Sequence, residues 1–261
     1  MLGTTFVGNI DLASVAIWAF WVFFFGLVVY IQRENMREGY PMSGKSDVVG
    51  GDEGLMPLPA PKTYHLRDHR GEVTVPSTEY ELAHAREDLA LAPTGAGAGN
   101  PWLPTGDPMI DGVGPASWAP RRDVPELGAE GQLKIQPISN LPEFRVSFGR
   151  DPRGMVVVGG DGEPVGRVSD IWVDLPEQLI RYLAVSLGEE GEGGTRLVPM
   201  NMVRVLSDRV RVRALYKHNW ADIPQTAASD RITLLEEDKI MGYVGGGTLY
   251  ASDKRAGNVL P

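Results

Sequence analysis

Leu12 to Ile31 reads LASVAIWAFWVFFFGLVVYI, a run with no charged side chain and with Ser14 and the Tyr and Trp tips as its only polar groups. At a rise of ~1.5 Å per residue, about twenty helical residues match a hydrocarbon core of ~30 Å. A cleaved signal peptide fits poorly. No basic residue precedes the run, it exceeds the usual apolar region of ~7–15 residues, and it lacks a small-x-small cleavage site. The reading is a membrane-crossing helix. Arg33, Arg37 and Lys45 follow it closely, so the positive-inside bias places the N-terminus outside, in a bacterium the periplasm, and the rest of the chain in the cytoplasm. Leu12, Ala16, Ala19, Phe23, Gly26 and Tyr30 share a face that would admit a neighbouring helix, although small residues also occur in purely lipid-exposed spans. With no ionisable group inside it, the span offers no proton relay of its own.

Outside this run the chain is polar and acidic. Its 261 residues carry a formal net charge of −9, and Asp11 is the one acidic residue ahead of the span. Nucleic-acid binding draws on clustered Lys and Arg, so that class is set aside. Cys 0 excludes disulfide scaffolds, thiolate chemistry and cysteine-based zinc fingers. An anionic domain is not held by anionic lipid, so attachment falls to the span and to protein partners.

Between Pro41 and Pro125 proline and glycine recur and hydrophobic periodicity is faint, which precludes long helices and central strands. Trp102, Met109, Ile110, Val113 and Trp118 are more apolar than a solvating linker needs, so this stretch is expected to lie ordered along a partner's surface. One short helix is expected over Thr78–Ala92. From Met155 onward short strands alternate with turn signals: Met155–Val158, Val165–Val173, Leu179–Leu187, Leu197–Met200, Met202–Leu206 and Arg209–Leu215. In the last of these, Arg alternates with Val or Ala, the mark of a half-buried strand. Thr233 and Glu236 form a capping box ahead of a helix over Leu234–Tyr243, with Gly245-Gly246-Gly247 expected to end it. The fold class is therefore one N-terminal transmembrane helix plus a mainly β domain, a small antiparallel barrel or sandwich, with a short C-terminal helix. The expected organisation is residues 1–11 periplasmic, 12–33 transmembrane, 34–125 extended and Pro/Gly-rich, and 126–261 a cytoplasmic domain.

Several strings resemble the H subunit of the photosynthetic reaction centre of purple bacteria. They include Gly8-Asn9-Ile10-Asp11-Leu12-Ala13-Ser14, Glu34 to Pro41, Pro104-Thr105-Gly106-Asp107-Pro108-Met109, Asp111 to Trp118, Asp170-Ile171-Trp172-Val173-Asp174, Pro176-Glu177-Gln178 and Leu234 to Ile240. They run in order through most of the chain. The resemblance implies a PRC-barrel fold and a non-catalytic subunit that caps the L and M subunits. Those partners carry the bacteriochlorophyll, bacteriopheophytin, quinones and non-haem iron, and this chain alone binds no cofactor. Phospholipid, and through the complex a light-harvesting ring and a cytochrome subunit, are further implied neighbours; the implied location is the bacterial inner, intracytoplasmic membrane.

The resemblance also assigns roles to residues. Glu177 and Asp174 match carboxyls on the family's proton route toward the secondary quinone, and paired, partly buried carboxyls suit such work. By composition alone Asp-x-Pro-Glu is a polar turn between strands. Near Pro125-Glu126-Leu127 the family pattern places an Asp and two His where this chain has Gly128, Glu130 and Gln132. Glu130 can accept a proton and Gln132 cannot, so a metal-binding surface His pair is missing. Arg33, Glu34, Arg37, Tyr40 and Trp118 are expected at the membrane or subunit interface. His65 and His69 have a metal spacing only on a helix, which their surroundings do not suggest. No nucleophile–base pair, phosphate loop or metal cluster supports an enzyme. A stand-alone membrane-tethered PRC-barrel adaptor is the alternative.

Overall fold

The computed structural model describes residues 5–7, 10–38, 58–67, 71–86, 88–95 and 100–257. The chain divides into two compact units, Met1–Ala85 and Arg86–Pro261.

In the first unit, β1 (Thr5–Val7) and β2 (Ile10–Asp11) pair and lead into α1 (Leu12–Asn35). Asp11 caps the helix, its carboxylate accepting the Ser14 N–H at 2.7 Å, which satisfies one of the donors that a helix start leaves open. No residue of α1 is buried, so Trp18, Trp21, Phe25 and their neighbours lie uncovered. The helix is long and apolar enough to cross a membrane. It runs two residues past the expected end at Arg33. β3 (Lys62–His65) and β4 (Glu72–Val75) form a hairpin, followed by α2 (Thr78–His84).

That second helix is about half as long as expected. Ala85 is already extended, and Pro93 biases the residue before it away from helix. In the second unit Leu91–Pro93 instead forms β5, paired with β6 (Trp102–Pro104). α3 (Pro108–Asp111) follows, capped by Asp107 and closed by Gly112 in the left-handed region at φ 62°.

The core of the second unit is a seven-stranded sheet. Its strands are β7 (Ile135–Pro137), β8 (Val156–Val158), β9 (Pro164–Asp174), β10 (Leu179–Leu187), β11 (Thr195–Pro199), β12 (Val203–Val205) and β13 (Arg209–Val212). The order is β11-β10-β9-β8-β13-β12, with β7 on the C-terminal end of β9. All neighbours are antiparallel except β8 and β13. Register shifts in β9–β10 mark bulges that bend these long strands, and the sheet curls into a half-barrel. Val157, Val168, Ile171, Leu183, Val185, Val198, Val210 and Val212 fill its inner face. Every strand expected from Met155 onward is present; β11 begins two residues before its expected start and ends one before its expected end, and β13 stops at Val212, three residues short of the expected Leu215. β7 was not anticipated.

α4 (Leu234–Tyr250) begins with the expected Thr233–Glu236 capping box but runs straight through the glycines meant to end it. Tertiary packing explains the difference. A Cβ on Gly246 would collide with the Ala116 Cβ, one on Gly242 would stand 2.7 Å from the Ala116 carbonyl oxygen, and one on Gly247 would stand 2.7 Å from that of Ala214. These glycines are bare so that α4 can press against the chain, and the packing outweighs their poor helix propensity. α5 (Asp253–Ala256) ends the described fold.

The Pro/Gly-rich stretch differs from expectation in a related way. Met109, Val113 and Ala116 are buried within this chain, so part of the segment packs on α4 rather than waiting for a partner. Trp102 and Ile110 remain exposed.

Candidate functional site

At the end of β9 the backbone turns sharply, with Gln178 in the left-handed region at φ 52°. Asp174 is the last residue of β9 and is 0% exposed. One carboxylate oxygen, Oδ1, accepts the Glu177 N–H at 3.1 Å, which fixes the Asp-x-Pro-Glu turn. The other, Oδ2, is buried without a hydrogen bond. A buried, unpartnered carboxylate oxygen is costly unless a charge compensates it.

That charge is Lys134. Its Nζ lies 3.9 Å from Asp174 Oδ2 and 3.1 Å from Glu126 Oε2. β7 carries it there: Ile135 pairs with Asp174, and the Leu175 N–H donates to the Lys134 carbonyl at 2.9 Å. The hydrogen bond to Glu126, then the negative charges of Asp174 and Glu177, hold the Lys134 pKa above its ordinary value. Glu177 itself is exposed. The turn thus places one carboxyl in the interior and one in solvent, three residues apart, with a cation acting on both.

Glu130 stands elsewhere. It occupies the exposed tip of a small hairpin closed by the Leu127–Leu133 bridge, where the Gly128 N–H donates to the Gln132 carbonyl at 2.8 Å and Gly131 has φ 83°. Among the described residues no hydrogen bond or ion pair joins it to Asp174 or Glu177. The hairpin's base, however, is formed by Glu126 and Lys134 themselves, the Lys134 N–H donating to the Glu126 carbonyl at 2.9 Å.

A second buried group lies on α4. Glu237 is 8% exposed and accepts the Tyr182 hydroxyl at 2.8 Å, with Arg181 Nη2 at 3.8 Å. Burial pushes the Glu237 carboxyl up, against the pull of the Tyr182 hydrogen bond and Arg181, and burial pushes the Tyr182 hydroxyl up as well. Glu126 adds its negative charge to the same field. Glu126, Lys134, Arg181, Tyr182 and Glu237 were all missed as site residues. For Glu237 a signal existed, because it shares a helix face with Ile240 and Val244 at i+3 and i+7.

The expected interface residues separate. Arg37 grips Glu34 through two hydrogen bonds of 2.8 Å and donates to the Ala60 carbonyl at 2.7 Å, which ties the end of α1 to the chain entering β3. Arg33 is exposed. Tyr40 lies outside the described residues. Trp118 is engaged within the chain, its ring between the Arg86 guanidinium at 4.1 Å and the Lys239 ammonium at 4.7 Å. His65 sits on strand β3, 2.9 Å from Glu72, and His69 is outside the described residues. No group of three or more metal-ligating side chains occurs among the described residues.

A family model for the photosynthetic reaction centre H-chain N-terminal region matches residues 4–140, and one for the PRC-barrel domain matches residues 144–219. The chain belongs to the reaction centre H-chain family. The second match covers β8 to β13, the half-barrel described above, and the first covers α1, the proline-rich stretch and β7. H-chain membership makes this protein a membrane-anchored structural subunit that associates with other reaction centre subunits. The Asp174 cluster lies across both matches: Glu126 and Lys134 come from the H-chain region, Asp174 and Glu177 from the barrel.

Proposed function

We propose that this H chain caps the L and M subunits on the cytoplasmic side, stabilises them, and hands protons toward the secondary quinone they carry. On this reading the span enters from the periplasmic side, the barrel faces the cytoplasm, and Arg33, Glu34, Arg37 and Tyr40 meet phospholipid and partner subunits at the membrane edge. Bacteriochlorophyll, bacteriopheophytin, quinones and non-haem iron belong to the partners. Reducing a quinone to a quinol consumes two protons. This chain's contribution is to hold titratable groups in a layer between water and a water-poor interior.

The observation that supports this is the Asp174 turn. On this reading exposed Glu177 collects a proton from solvent and buried Asp174, with an oxygen free of hydrogen bonds, receives it. Lys134 sets a positive charge 3.9 Å from the Asp174 carboxylate. Glu130, at the tip of the hairpin that ends in Lys134, is an outer collecting point in place of the family's Asp and His residues.

The test is Glu177→Gln in intact complexes, following the second electron transfer and its coupled proton uptake after paired flashes. Slowing of that step with the first electron transfer unchanged supports the relay; an unchanged rate removes Glu177 from it. A near-infrared spectrum of the chain purified from its native membrane tests the assembly itself. Bacteriochlorophyll bands with two hydrophobic partner chains are expected, and a colourless preparation would point to a free-standing adaptor.

A further inference from the structure

The outward face of the half-barrel sheet carries arginines in register. Across β9, β8 and β13, Arg167 pairs with Val156 and Val156 with Arg209; across β8, β13 and β12, Val158 pairs with Arg211 and Arg211 with Arg204. Directly paired residues share a face, and so do residues two apart along a strand. Arg213 follows directly after β13. Arg204, Arg209, Arg211 and Arg213 are all exposed. Arg167 donates to the Gly154 carbonyl and Arg209 pairs with Asp208 at 2.7 Å. Among the described residues no hydrogen bond or ion pair engages the guanidiniums of Arg204, Arg211 or Arg213. Yet Arg204 and Arg211 stand directly opposite each other, and like charges so placed are destabilising. This is an unusual concentration in a chain whose net charge is −9.

We propose that this arginine face docks an acidic, extended segment of a neighbouring protein chain. Residues two apart on an extended chain repeat every ~6.6–7 Å, the spacing of Arg209 and Arg211 along β13. Carboxylates at alternate positions of such a segment would meet successive guanidiniums, each able to donate two parallel hydrogen bonds. A cleft of about 450 Å³ lined by Val158, Gly162, Leu206, Asp208, Arg209 and Arg211 receives a side chain from the docked segment. A flat anionic lipid surface offers no such repeat and would also face the rest of an acidic chain. The proposal does not depend on the proton relay.

The absence of cysteine makes the test direct. In the complex purified from its native membrane, Arg204→Cys carries a thiol-directed photo-cross-linker, and the peptide containing residue 204 is isolated and its adduct mapped. Arg204→Glu is the companion variant: it converts the Arg–Arg pair into an opposite-charge pair with Arg211, so the barrel's thermal midpoint is expected to hold or rise. Retention of co-purifying protein chains through a salt series is expected to weaken about tenfold or more in this variant, the scale for loss of a close interfacial charge pair. Arg204→Lys is expected to fall between. A protein adduct within a stretch of alternating Asp or Glu, together with that weakening, supports the proposal. Retention unchanged in Arg204→Glu, adducts only to lipid, or no adduct at all overturns it.

Discussion

Lys134→Met removes the cation that faces the buried Asp174 carboxylate and keeps most of the side chain's apolar length. At 3.9 Å and an effective dielectric of about 20, the attraction between the two charges is about 4 kcal/mol. Water reaches part of the lysine, whose side chain is 21% exposed, and the lost ion pair with the more open Glu126 adds less than about 1 kcal/mol. The expected net loss is about 2–3 kcal/mol, below the roughly 3–5 kcal/mol of a fully buried pair that loses one member. Native-state hydrogen exchange in the full chain reads this locally, through the amides of Val173 and Ile180, which pair across β9 and β10 beside the site. Lys134→Arg, which keeps the charge, is expected to lose less than about 1 kcal/mol by the same scale. The pH dependence has a definite sign. Because the Lys134 pKa is raised, its contribution is complete below the ordinary 10.5 and is lost as pH climbs through the raised value. The gap between wild type and Lys134→Met should therefore narrow at strongly alkaline pH. Protection changed by less than about 0.5 kcal/mol in the methionine variant would mean that Asp174 is not held by this cation, and the reasoning would fail.

Three further outcomes follow from the same structure. Glu237 is pushed up by burial, so between the ordinary carboxyl value of 4.5 and the raised one the folded chain holds a proton the unfolded chain has lost. Stability should fall as pH rises across that window, and Glu237→Gln, which can still accept from Tyr182, should flatten the slope in a pH series of denaturant midpoints. On α4, Gly246→Ala drives a methyl into Ala116 and should cost about 1–3 kcal/mol; Gly245→Ala, whose nearest neighbours would be 3.9 Å away, should gain about 0.5–1 kcal/mol from helix propensity, measured by thermal unfolding. Zinc or cadmium added to proton-uptake assays should leave the rate unchanged at the Gly128–Gln132 hairpin, and tight inhibition mapped to that locus would refute the reading.

The strands were legible because a half-buried strand writes its environment into alternate residues: Arg209-Val210-Arg211-Val212 alternates exposed and buried as its chemistry suggests. The span and the start of α4 were legible for similarly local reasons, a charge-free run and a capping box. The length of α4 was not, because glycine near a helix end usually signals a stop and here marks contact with a distant segment. The turn of the site could be seen in Asp174-Leu175-Pro176-Glu177, but its electrostatics could not. Whether Asp174 is buried, and which cation answers it, depends on the pairing of Ile135 with Asp174, and Leu133-Lys134-Ile135 carries no local mark of that register. The intrachain partners of Arg37 and Trp118, namely Glu34 and the Ala60 carbonyl, and Arg86 and Lys239, were not legible because most of them come from segments distant in sequence.

The bare glycines of α4 bear on where this protein can be cut. The two family matches meet between residues 140 and 144, which looks like a natural seam. But the stretch that fills the notch over Gly242 and Gly246 belongs to the first match, while the helix bearing that notch lies beyond the end of the second. A fragment beginning at residue 144 would leave a strip of naked backbone facing water and would strip Asp174 of Lys134. Severing the chain between Ala85 and Arg86 keeps both intact, so the unit of inheritance and the unit of folding have different edges here.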